Sequence, residues 1–82
     1  MNGFRINLVC CTQVILQDLS APKVTQKNVA LTYAMAIKSG FDGADKPDWE
    51  TINRAILAKW KPSGLERIKK RAWDLLEGKV QP

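Results

Sequence analysis

The chain contains no histidine, which removes the commonest general base and the commonest zinc ligand together. Its two cysteines, Cys10 and Cys11, are neighbours. In an extended segment adjacent side chains point to opposite faces, and in a helix they stand about 100° apart, so this pair suits neither a shared metal nor an easy disulfide. They read as small apolar residues of a reduced, cytoplasmic protein. The glycines Gly3, Gly40, Gly43, Gly64 and Gly78 are scattered singly, and without a glycine-rich loop there is nothing to cradle a pyrophosphate. Apolar runs fall far short of the roughly 18 residues that a membrane span needs. The acids Asp42, Asp45, Asp48 and Glu50 cluster at a turn and a helix start, where capping and dipole complementation explain them better than acid–base work. Asp42-Gly43-Ala44-Asp45 also lacks the alternating ligands and terminal Glu of a calcium loop. These absences predict a protein that is not an enzyme, with no cofactor, no metal site and no membrane partner.

What remains is an ordinary globular inventory. The 82 residues, 45% hydrophobic and 26% charged, fill one small domain whose core is limited by its size. Thirteen Lys and Arg against eight Asp and Glu leave a net charge of +5, so an electrostatic partner is expected to be anionic.

Residues 1–21 carry two incompatible patterns. Phe4, Ile6, Leu8, Cys10, Val14 and Leu16 alternate at period two, whereas Phe4, Leu8, Cys11, Ile15 and Leu19 fall at helical spacing. The β-branched Ile6, Val9, Thr12, Val14 and Ile15 favour an extended segment, with a helix as the alternative. A strand there needs a partner, either a second copy through residues 4–16, giving a homodimer, or a short strand around Lys79 to Gln81. A secretory signal is a competing reading, with Arg5 before the apolar Ile6 to Leu16, but Asn7, Gln13 and Gln17 interrupt it.

Residues 22–82 read as a three-helix domain, so the fold expected is mainly α. Thr25 is a candidate N-cap for a first helix bearing Val29, Ala30, Tyr33, Ala34, Ala36 and Ile37, ended by Ser39-Gly40. Asp48 caps a second, with Glu50 in its first turn and a core stripe of Trp49, Ile52, Ile56 and Trp60. Lys61-Pro62 stops it, and Ser63-Gly64-Leu65-Glu66 has the form of a capping box. Leu65, Ile68, Ala72, Leu75 and Leu76 make the apolar stripe of a third helix, and Gly78 sits where a terminating glycine belongs.

The last two helices are joined by Lys61, Pro62 and Ser63, a connection that forces a sharp corner. With Ala55, Ala58, Trp60, Leu65 and Ile68 in order, residues 49–71 resemble the generic helix-turn-helix motif. One departure is Lys59, where many such units carry Gly; it needs a left-handed backbone or a differently shaped turn.

Charge is the stronger clue. Between positions 59 and 71 lie Lys59, Lys61, Arg67, Lys69, Lys70 and Arg71 against the single acid Glu66, so this window carries the whole +5. On a helical wheel Arg67, Lys70 and Arg71 span an arc of about 100° opposite Leu65, Ile68 and Ala72. The expected function is therefore a small DNA-binding module, a phage or mobile-element regulator, that docks residues 63–77 on duplex DNA through Lys59, Lys61, Ser63, Arg67, Lys70 and Arg71. The pairs Glu66/Lys70 and Lys70/Asp74 are also what any solvated helix carries. The alternative is a protein-interaction module that docks on a larger host or viral protein through Trp73 and the N-terminal segment.

Overall fold

A computed structural model describes residues 11–43 and 46–81. It is mainly α: the described residues form α1 (Cys11–Ser20), α2 (Gln26–Phe41) and α3 (Trp49–Leu76), with no strand among them. α3 is broken at Lys61, whose φ of 65° and ψ of 176° are not helical, so it is two arms, residues 49–60 and 62–76. These arms and α2 are the three helices expected of residues 22–82.

α1 corrects the preference for extended structure over residues 11–20. Ile15 and Leu19 are buried and Leu16 packs against the same core, so the helical pattern is the one that removes apolar surface from water. A β-propensity scale spanning about 1 kcal/mol does not compete with burying two such side chains at roughly 1.5–3 kcal/mol each. The Thr12 hydroxyl accepts from the Asp48 backbone N–H at 2.9 Å, which ties the start of α1 to the start of α3. Of the dimerisation segment 4–16, residues 4–10 lie outside the described residues and residues 11–16 belong to α1, and Lys79 to Gln81 form no strand.

α2 starts as expected, with the Thr25 hydroxyl accepting from Asn28 N–H at 3.1 Å. It does not end at Ser39-Gly40. The helix runs on through Phe41, because the left-handed residue that terminates it is Gly43 at φ 75°, while Lys38 and Asp42 pair across the last turn at 3.4 Å. The extra turn places Phe41 on the helix. Ala30, Ala34 and Ala36 are buried along α2, small enough to let neighbouring backbones approach closely.

The first arm of α3 is capped by Asp48, which accepts from Thr51 N–H at 3.2 Å and from the Thr51 hydroxyl at 2.7 Å. Ile52 and Ile56 are fully buried. Trp49 and Trp60, expected in the core, are half-buried and only flank it. Their bulk exceeds what so small a core can enclose, and the isoleucines fill the centre.

The corner departs from expectation in two ways, and of the two options for Lys59 it takes the differently shaped turn. The left-handed residue is Lys61, and the connection is one residue long rather than three. Lys61 lies in a region that glycine alone adopts freely, at a cost of about 1–3 kcal/mol. Pro62 then occupies the first helical position, where its fixed φ and missing N–H are harmless. Ser63 is therefore already inside the first turn, and the capping box does not form: Glu66 instead lies 3.8 Å from Lys69.

Gly64 is buried at this corner, where a Cβ would run into Trp60 Cβ and come within 3.2 Å of the Gln26 amide nitrogen. Only glycine lets α2 and the two arms meet there. Leu65, Ile68 and Ala72 carry the second arm into the core. Its end has the expected Gly78 at φ 75°, with Gly78 N–H donating to Leu75 O and Lys79 N–H to Asp74 O at 2.8 Å.

Candidate nucleic-acid interface

The second arm presents two different flanks on either side of its buried stripe. Arg67, Lys70, Arg71 and Asp74 lie on one, facing Gln26 and Lys27 at the start of α2, and together they line a groove of about 350 Å³. Lys69 and Trp73 lie on the other flank, about 160° round the helix from Arg71.

The groove brings together three of the six expected nucleic-acid residues. Arg67 donates from Nε to Gln26 Oε1 at 3.3 Å, which lays its guanidinium across the first turn of α2 without neutralising it. Lys70 is paired with Asp74 at 3.1 Å, its own side chain 79% exposed. An exposed pair of this kind is worth about 0.2–1 kcal/mol and yields readily to a stronger anion. Arg71 does not face outward as the wheel suggested. It is half-buried, with a terminal nitrogen donating to Gln81 O at 3.3 Å and a buried Nε that has no hydrogen-bond partner among the described residues.

Lys27, which the sequence reading did not single out, supplies a fourth cation to this groove. Four cations face one carboxylate, an excess of three positive charges. The first N–H groups of α2 add partial positive charge beside them. No signal in the sequence could have named Lys27, because its place depends on how α2 crosses the second arm.

The other expected residues lie apart. Lys59, Lys61 and Ser63 are exposed around the corner and line no part of the groove. Lys59 Nζ sits 5.7 Å from the centre of the Trp60 ring.

Trp73 is 43% exposed, and its ring centre is 6.1 Å from that of Phe41, which is 75% exposed. With Tyr33, Ile37, Gly40, Trp49, Asn53 and Lys69 they line a cleft of about 620 Å³. The Tyr33 and Trp49 rings in this lining have centres 4.8 Å apart and are tilted by 45°. The Tyr33 hydroxyl donates to Asn53 Oδ1 at 2.9 Å. Burial pushes the phenol above its ordinary value, outweighing the hydrogen bond to Asn53, so it stays protonated as a donor. Sequence reading took Trp73 alone from this set. Phe41 was missed because the helix was expected to stop before it.

Among the described residues no helix is long and apolar enough to cross a membrane, and no group of three or more Cys, Asp or Glu could hold a metal ion. No family model, no curated protein and no solved structure matches this chain.

Proposed function

We propose that the protein is a small non-enzymatic DNA-binding module that seats a duplex phosphate backbone in the groove between the start of α2 and the second arm of α3. The observation that carries this reading is the excess of positive charge lining the groove, where Lys27, Arg67, Lys70 and Arg71 meet Asp74 alone. Phosphate oxygens are strong acceptors for charged donors, and the exposed Arg67 guanidinium keeps its two terminal nitrogens for them, while Arg71 adds positive charge from a half-buried position. Lys59 and Lys61, exposed at the corner, extend the positive surface beyond the groove. One such helix covers only a half-site, so the reading includes action as a dimer.

Gel retardation with duplex DNA tests it. Neutralising about three phosphates makes affinity fall roughly forty-fold for a fourfold rise in salt. Lys27→Ala combined with Arg67→Ala, two exposed positions, should weaken binding and flatten the salt slope by about two while leaving the melting temperature unchanged. Equal retardation of this double variant at matched salt would refute the groove as the contact surface.

A further inference from the structure

The aromatic cleft has a chemistry that phosphate binding does not use. Its two exposed rings, Phe41 and Trp73, stand at 49° to one another rather than stacked flat, so neither covers the other's face. Gly40 lines the same cleft without a side chain. At about 620 Å³ it falls within the range of small-molecule sites, which run from roughly 300 to 1,000 Å³.

Two polar groups distinguish it from a bare apolar face. Tyr33 holds Asn53 Oδ1 at 2.9 Å, which fixes the amide and leaves its Nδ2 with no acceptor among the described residues. Lys69 brings an ammonium to the same cleft, loosely opposed by Glu66 at 3.8 Å. Ring faces, one oriented amide donor and one cation match a planar heteroaromatic ring that carries hydrogen-bond acceptors on its edge and an anionic group beside it. An aliphatic partner would leave the amide unsatisfied, and a simple anion would leave the rings bare.

We propose that the cleft formed by Tyr33, Phe41, Trp49, Asn53, Lys69 and Trp73 binds a single nucleobase of a nucleotide, stacked on Trp73 and Phe41 with its phosphate toward Lys69. The proposal goes beyond the groove reading and does not depend on it, since the cleft lies on the opposite flank of the second arm. The base has two sources of the same chemistry, a free mononucleotide or an unpaired position in a single strand. A fully paired duplex hides the base faces and cannot fill the cleft.

Tryptophan fluorescence and calorimetry with three probes on the full chain test this: adenosine monophosphate, a single-stranded oligo-dA, and ribose 5-phosphate. Quenching and heat with adenosine monophosphate or the oligonucleotide, but not with ribose 5-phosphate, is the result expected. Comparable affinities for the first two point to a free nucleotide, and binding of the oligonucleotide at least tenfold tighter points to a strand. Phe41→Ala, at a 75% exposed position, should weaken binding by about five- to a hundredfold without altering the fold, the loss expected when one stacking face is removed. Trp73→Ala should do the same, and a melt shows whether that variant stays folded. Lys27→Ala with Arg67→Ala should bind adenosine monophosphate as the parent does, so failure of the groove and failure of the cleft are read separately. No response to either base-bearing probe, an equal response to ribose 5-phosphate, or full binding by Phe41→Ala overturns the proposal and leaves the rings to a protein partner's side chain.

Discussion

The two flanks of the second arm are built from the same helix and solve opposite problems. On one, Arg67, Lys70 and Arg71 crowd positive charge against the start of α2 with Asp74 as the sole acid; on the other, Lys69 is the one cation among four aromatic rings. A groove of like charges repels itself and gains when an anion arrives, so the binding proposed there weakens as salt screens it. A cleft of exposed rings gains by covering apolar surface, which salt hardly touches. The same 15 or so residues can therefore present two surfaces with contrary salt responses, separated by the buried stripe of Leu65, Ile68 and Ala72.

Changing the scaffold that both flanks share breaks the comparison most severely. Gly64→Ala adds a Cβ where Trp60 Cβ already stands, an obstruction close to the backbone that cannot swing aside. Because the obstruction is close to the backbone, overpacking should cost about 2–3 kcal/mol, which outweighs the gain of about 1 kcal/mol in helix propensity. We expect a net loss of roughly 1–2 kcal/mol, read as a melting temperature lower by about 5–15 °C, and both binding activities should weaken together. An unchanged melting temperature would mean that the arms do not meet as closely as described.

A smaller change sharpens the contrast by touching one flank. Tyr33→Phe removes the donor that holds Asn53 Oδ1 and unties α2 from the first arm at the cleft, at a cost of about 1 kcal/mol. Binding in the cleft should fall while duplex retardation at the groove stays as it was, and a parallel loss in both assays would show that the flanks are coupled.

The smallest effect belongs to a site on neither flank. Hydrogen bonds from the Thr51 hydroxyl and backbone N–H hold the Asp48 carboxyl below its ordinary value of 3.8. A group whose folded value is depressed stabilises the fold above its unfolded value and stops doing so as pH falls through the folded one. Melts of the parent should therefore lose a small increment as pH drops below about 4 that Asp48→Asn, which caps without titrating, does not lose.

Legibility followed the range of the forces involved. Thr25, Asp48 and Gly78 were readable because caps and terminating glycines act within one turn. The core positions Ile52, Ile56, Leu65, Ile68 and Ala72 were readable because a long, regular stripe has only one side to bury. Residues 11–20 were not, since their spacing fits both periods and burial of Ile15 and Leu19 decides between them. Nor was the end of α2, because Gly40 and Gly43 offer two stopping points and only the folded chain uses the later one. Misplacing that end hid Phe41 and with it the cleft.

From the order of its residues alone, this chain had to be a small, basic, helical domain with its surplus charge concentrated between positions 59 and 71, because composition, caps and apolar periodicity act locally. Packing decided what the charges and rings face. The crossing of α2 over the second arm brings Lys27 to Arg67 and Phe41 to Trp73, partners 40 and 32 positions apart in the chain. Contacts at that separation depend on which helix faces bury one another, and no neighbouring residue encodes that choice.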